Sequence, residues 1–266
     1  MKSHFRGLPA RLAALSLFVL ATSACDIAMA DHSQKETAEW RKTYELQPGG
    51  RLELANVNGR IEVRPGTGRA LEVYAKKIGS GATADAAKEA LSRIEIVEQS
   101  SPSLVKIETS LPRGGNSMFG GGRQVEYIVR VPANVEVRVS TVNGGVEVDG
   151  LNAKVTAEAT NGGVRARDIG GPIEATTTNG GVEVDLSQVP EAGVKLECTN
   201  GGIKLRLPSS AKASITARVT NGGILTNGLT LDASENSRRR LDARLNGGGP
   251  RIDLEGTNGG IAISAR

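Results

Sequence analysis

The side chains that could do chemistry are few, and their spacing suits it poorly. Ser103-Leu104-Val105-Lys106 and Ser209-Ser210-Ala211-Lys212 match S-x-x-K, the spacing of a serine acyl-transfer dyad. That dyad needs a helix, on which residues i and i+3 share a face. The first match leads into a predicted strand, where i and i+3 point to opposite faces, and the second follows Pro208 in a loop. Gly79-Ser80-Gly81-Ala82-Thr83-Ala84 matches the G-x-G-x-x-A of dinucleotide sites, with Glu98 further on, yet no β-α alternation follows it. A Ser-His-Asp or Cys-His arrangement requires histidine, and past residue 30 there is only His32. Zinc sites built on His and Cys fail for the same shortage. Asp149, Asp168 and Asp185 recur along the chain without the G-G-x-G-x-D pattern of calcium repeats. No catalytic, cofactor or metal site is expected.

Composition narrows the partners. Seven of the 266 residues are aromatic and none lies between Ile128 and Arg266, which disfavours an aromatic-rich core and sugar or base sites built on stacking. Residues 31–266 carry 30 basic and 28 acidic groups, too balanced for a nucleic-acid footprint. Arg238-Arg239-Arg240, the one dense basic run, reads as a solvated loop.

The 34 glycines lead to the elements. A seven-residue pattern, [TV]-N-G-G-[VI]-x-[VLA], recurs at 57–63, 142–148, 160–166, 178–184, 199–205, 220–226 and 257–263, with a degenerate copy at 245–254. Asn143, Asn161, Asn179, Asn200 and Asn221 follow one another at 18, 18, 21 and 21 residues. Each ends an alternating run such as Val137-Val139-Thr141-Asn143 or Val194-Leu196-Cys198-Asn200, and period 2 means a strand with one face buried. Asn-Gly-Gly supplies a corner, and a second short strand follows. Two short strands and two corners make one rung of a solenoid. The expected fold is all-β: a β-solenoid or β-helix-like stack with a single short helix in an N-terminal capping region. An antiparallel meander of Asn-Gly hairpins is the competing architecture. In the stack Asn143, Asn161, Asn179, Asn200, Asn221 and Asn258 form a structural ladder, pointing inward and bonding from rung to rung. Cys198 shares its frame position with Thr141, Ala159, Thr177 and Val219 and reads as a buried core thiol.

The stack is expected over 132–266. Residues 40–131 form a first rung at 51–63 and a cap holding a helix over 82–93, with residues 31–39 a flexible tail. The glycine-rich loop 113–123 offers Met118 and Phe119 as contact residues. Upstream, Lys2, Arg6 and Arg11 precede an apolar run from Leu12 to Ala21, the pattern of a signal peptide. Two exits are open: cleavage after Ala30 of Ala28-Met29-Ala30, giving a signal of 1–30, or lipidation of Cys25 in Ala21-Thr22-Ser23-Ala24-Cys25, giving 1–24.

GRLELANVNGRIEV at 50–63, VEYIVRVPANVEVRVSTVNGGVEV at 125–148 and GGGPRIDLEGTNGGIAI at 247–263 resemble the bacterial "putative adhesin" family, a domain-of-unknown-function family of β-strand repeats that includes surface proteins of Lia-type envelope-stress systems. The resemblance spans residues 40–264. It implies a solenoid-like fold at the cell envelope, no enzymatic activity and no catalytic residues. The expected function is therefore that of an exported, non-enzymatic envelope protein presenting a repetitive β surface to an envelope component or protein partner. It would not bind nucleic acid and would meet a membrane only through the anchor at Cys25. A passive periplasmic scaffold and a β-helix carbohydrate-active enzyme are the alternatives.

Overall fold

The computed structural model describes residues 34–112 and 122–266. In chain order the elements are β1 (Gln34–Glu45), β2 (Arg51–Asn58), β3 (Ile61–Pro65), β4 (Ala70–Gly81), helix α1 (Ala84–Ser92), β5 (Glu95–Ser100), β6 (Leu104–Ser110) and β7 (Arg123–Val131). The repeats follow as pairs: β8 (Glu136–Asn143) with β9 (Val146–Asp149), β10 (Val155–Asn161) with β11 (Val164–Ile169), and β12 (Ile173–Asn179) with β13 (Val182–Leu186). Next come β14 (Val194–Asn200) with β15 (Ile203–Leu207) and β16 (Ala213–Asn221) with β17 (Ile224–Asn227). The series closes with β18 (Leu231–Asn236), β19 (Arg240–Leu245), β20 (Arg251–Asn258) and β21 (Ile261–Ala265).

The alternating runs become parallel strands in strict register. Val155 lies between Val137 and Ile173, Ala157 between Val139 and Ala175, and Asn161 between Asn143 and Asn179. Because each corner sends the chain into a second layer, two sheets form. One has 11 strands in the order β18-β19-β16-β20-β14-β12-β10-β8-β2-β6-β5; the other has 10, in the order β1-β4-β7-β3-β9-β11-β13-β15-β21-β17. Their inner faces share one apolar cluster of Val, Ile, Leu and Ala, with Val139, Ala157, Leu196, Leu205 and Ile263 fully buried. Parallel pairing of the repeats rules out the hairpin meander. Residues of equivalent frame position sit about 4.8 Å apart along the stack, a spacing that small and β-branched side chains fill without rings.

Rung order departs from chain order at both ends. β20 and β21 insert between β14/β15 and β16/β17. The outer edge of β16 is already taken by β19, its antiparallel neighbour through the local β18–β19 hairpin, so the last rung has only the inner edge to join. The turn that makes this return carries the degenerate repeat at 245–254. Its Asn246 joins no rung corner: the residue takes φ 50° and its amide donates to the carbonyls of Ser209 and Ala211, both at 2.8 Å. Likewise β2/β3 lie between β8/β9 and the later β6/β7.

The N-terminal strands extend the stack rather than merely covering it. β1 pairs antiparallel with all twelve residues of β4, and β4 with β7. Strand pairing begins at Gln34, which corrects the flexible tail expected over 31–39: from residue 34 that segment is the outer strand of a sheet, tied down by Trp40 and Tyr44 against the core. The helix is shorter than the span 82–93. Thr83 accepts a hydrogen bond from the Ala86 N–H at 3.2 Å and so caps the helix, which starts at Ala84. Gly79 and Gly81, the glycines of the dinucleotide-like motif, lie under this helix. A Cβ at Gly79 would sit 2.4 Å from the Ala87 carbonyl oxygen, and one at Gly81 2.7 Å from the Ala86 methyl. They are glycine because the helix backbone rests on β4 there.

Candidate functional site: an exposed asparagine and threonine face

The six predicted ladder residues do meet, joined by Asn58. Each Nδ2 donates to the Oδ1 of the next Asn along the stack: Asn143 to Asn58 (2.7 Å), Asn161 to Asn143, Asn179 to Asn161 and Asn200 to Asn179 (each 2.9 Å), Asn258 to Asn200 (2.8 Å) and Asn221 to Asn258 (2.9 Å). The ladder runs about 29 Å across seven rungs. The six predicted side chains are exposed, not inward as strict alternation implies, because the strand turns its corner at this point. Each amide between the two ends of the ladder spends one N–H and one lone pair on its neighbours. A primary amide has two of each, so one donor and one acceptor per rung face solvent.

The inward polar position is two residues earlier, and alternation alone did not single it out. Thr141 donates to the Gly59 carbonyl at 3.2 Å, Thr177 to that of Gly162 at 2.7 Å, and the Cys198 thiol to that of Gly180 at 3.1 Å. Asn56 fills the same place in β2, bonding the carbonyls of Gly59 and Val125. Cys198 is 3% exposed and burial pushes its thiol above the ordinary range, so it remains a protonated donor.

Below these side chains the glycine carbonyls stack closely. The first glycine of each corner has positive φ, from 138° to 159° in Gly144, Gly162, Gly180, Gly201, Gly222 and Gly259. A Cβ there would come within 1.7–2.2 Å of the previous rung's glycine oxygen. The second glycine has no such conflict, with nearest approaches of 3.1–3.5 Å in five corners. Arg60 stands at that second place in the first rung.

The threonine before five of the seven ladder asparagines completes the face; Val57 and Val142 stand there before Asn58 and Asn143. Thr160, Thr178, Thr199, Thr257 and Thr220 are exposed in successive rungs, and among the described residues their side chains make no hydrogen bond. The outer surface of the other sheet contrasts with this. There Glu147, Arg165, Glu183 and Lys204 are register neighbours, and Arg165 pairs with Glu183 at 3.3 Å and Glu147 at 3.7 Å, as does Arg206 with Glu183 at 3.3 Å. Stacked like charges would repel; from Glu147 through Arg165 to Glu183 the sign alternates and both carboxylates are ion-paired with the arginine between them. The Asn–Thr face is neutral, and its hydrogen-bonding capacity remains open.

The other candidates do not converge on chemistry. Lys106 of the first S-x-x-K match bonds Glu108 at 2.7 Å, which holds its ammonium above the usual value, opposite to what a general base needs. Among the described residues no three His, Cys, Asp or Glu side chains gather as a metal set, and no helix is long and apolar enough to cross a membrane. Cys25, Ala30, Met118 and Phe119 lie outside the described residues.

Together these features define a rigid, in-register parallel β-stack with one polar face left unpaired. Residues 133–264, the repeat region, match the model of the family described as Toastrack DUF4097. Among solved structures it is similar to a "putative cell adhesion protein" from Clostridium sporogenes, at 14% identity over 87% of this chain and 100% of that one, with a TM-score of 0.46. It is also similar to a "putative adhesin" from Bacteroides fragilis, at 10% identity over 86% of this chain and 97% of that one, TM-score 0.27. A "putative lipid binding protein" from Parabacteroides distasonis is a further neighbour, at 10% identity over 87% of this chain and 96% of that one, TM-score 0.28. No curated protein matches the sequence.

Proposed function

We propose that this chain is an exported, non-enzymatic cell-envelope protein whose Asn–Thr face binds an envelope component or a surface partner, in the manner of an adhesin. The observation that carries the reading is the unspent hydrogen-bonding capacity of that face. Five partnerless hydroxyls and a row of half-used amides are held at fixed spacing by the strict register of the parallel strands. Such a face costs little entropy to use, since its groups are already ordered. Export rests on the basic and apolar N-terminal segment, with Ala30 or Cys25 as the point of processing.

The test is binding of the purified full chain to isolated envelope fractions, compared with a Thr178→Val/Thr199→Val variant. Valine keeps the shape and strand preference of threonine and removes only the hydroxyl. Loss of binding without loss of folded signal is expected. Equal binding by the variant would refute the face, and binding by neither protein would favour the passive scaffold. Mass analysis of the protein recovered from cells distinguishes an N-terminus at Asp31 from a lipidated Cys25; an intact Met1 would overturn export.

A further inference from the structure

Where the threonine row reaches the inserted rung, the surface is no longer flat. A cleft of about 690 Å³ opens over β14, β20 and β16. Its floor continues the face already described, with Thr199, Thr257 and Thr220 in successive rungs. Two residues earlier on the same strands stand Glu197, Glu255 and Arg218, which are register neighbours. Its wall is the end of the β18–β19 hairpin, carrying Glu235, Ser237, Arg239 and Arg240. That wall is fixed by backbone bonds from the Val219 N–H to the Arg239 carbonyl at 3.0 Å and from the Ile224 N–H to the Arg238 carbonyl at 2.9 Å.

The charges in this cleft are incompletely paired. Glu197 is held by Lys195 at 2.6 Å, and Arg240 has only a long contact with Glu235 at 3.7 Å. Arg218, Arg239 and Glu255 form no ion pair among the described residues, unlike Arg165 and Arg206 on the opposite sheet. The cleft therefore gathers two uncommitted guanidiniums, one uncommitted carboxylate and three uncommitted hydroxyls. A guanidinium fork matches an oxyanion, and does so bidentately for a carboxylate or phosphate. Threonine hydroxyls and Glu255 match the donors and acceptors of a polyol. Among the described residues no aromatic side chain lines the cleft, so affinity there has to come from ionic and hydrogen-bonded contacts rather than ring stacking.

We propose that this cleft is the charge-reading subsite of the binding face and takes an acid group carried on a hydroxyl-rich chain. Arg218 and Arg239 hold the oxyanion, while the threonine row and Glu255 bond the neighbouring hydroxyls. The assignment rests on the binding reading above and specifies its ligand class. It also gives the Arg238-Arg239-Arg240 run a use beyond solvation, in which the carbonyls of Arg238 and Arg239 anchor the backbone and the Arg239 side chain supplies the charge.

The experiment is calorimetric titration of the full chain with three oligomers of equal length: an oligogalacturonate bearing carboxylates, a glycerol-phosphate oligomer bearing phosphodiesters, and a neutral maltooligosaccharide. At least one acidic oligomer is expected to bind at least tenfold more tightly than the neutral one, with affinity falling as salt is raised. The two acidic arms separate carboxylate from phosphate. Arg218→Ala/Arg239→Ala, at exposed positions that carry no core packing, is expected to weaken the acidic oligomer about tenfold or more and to leave thermal unfolding unchanged. Arg239→Lys should lose part of that affinity, because an ammonium lacks the fork. Equal binding of neutral and acidic chains, or an unaffected double variant, overturns the subsite. So does silence of all three oligomers in a preparation that still binds envelope fractions through Thr178 and Thr199, in which case the broader face survives. Failure in both assays removes the two readings together.

Discussion

The corner glycines allow a sharp comparison between adjacent residues. In Gly180→Ala the new methyl carbon would lie 2.2 Å from the Gly162 carbonyl oxygen, on a backbone with φ 147°. The backbone conformation alone costs a non-glycine residue about 1–3 kcal/mol. Relieving the overlap means separating two rungs at their closest point. That strains the Gly162 N–H bond to the Asn179 carbonyl at 2.8 Å and the Asn179–Asn161 amide bond at 2.9 Å, each worth about 1 kcal/mol. The expected loss is about 3–5 kcal/mol. In Gly181→Ala the nearest atom is the Gly202 oxygen at 3.4 Å, an ordinary contact, and φ is unexceptional. The expected loss is under about 1 kcal/mol, comparable to or less than a typical surface-to-core change, and Arg60 at the equivalent place shows that a side chain fits. Urea unfolding of both variants, followed by far-ultraviolet circular dichroism, measures the difference. Midpoints within about 1 kcal/mol of each other would refute the claim that close stacking, rather than turn flexibility, demands the first glycine.

Three further outcomes follow from the same geometry. Asn179→Ala removes two ladder bonds at an exposed corner and should cost about 1–2 kcal/mol in the same unfolding assay, whereas Thr178→Ala beside it should change little. Arg165→Glu would place three carboxylates in succession at Glu147, 165 and Glu183; a loss of about 1–2 kcal/mol that shrinks in high salt is expected, and salt-independence would contradict the ladder. Burial raises the Cys198 thiol in the folded chain, so above the ordinary thiol value of about 8.5 the unfolded state sheds a proton that the native state keeps. Stability should therefore fall as pH rises past that value, and Cys198→Ser, which keeps a donor toward the Gly180 carbonyl, should flatten that part of the profile.

Much of the rung was legible before any coordinates. The run Val194-Leu196-Cys198 alternates because one face of a strand is buried, and the corner after Asn200 is announced by its glycines. Both are consequences of nearest neighbours in the chain. The outward turn of the Asn row was not legible, because alternation carries no information about the residue at which a strand stops alternating. Thr141, Thr177 and Cys198 look unrelated until they are seen bonding the same carbonyl position one rung below. The ordered strand from Gln34 was missed for a similar reason. Its alternation is weak, with mostly exposed residues, and its partner β4 lies some 35 residues away in sequence.

By itself the sequence determined the repeating unit: strand, corner and strand, with small inward side chains and neutral polar residues at each bend. These follow from local backbone preference and from period-2 burial, which any copy of the repeat satisfies alone. Only the tertiary structure decided the order of the rungs, since β16/β17 and β20/β21 present nearly the same edges and either could follow β14/β15. The choice falls to the β18–β19 hairpin, which occupies one edge of β16 and leaves the last rung the other. That same hairpin raises the wall beside Thr199, Thr257 and Thr220, so the cleft exists because of a pairing that no single repeat encodes.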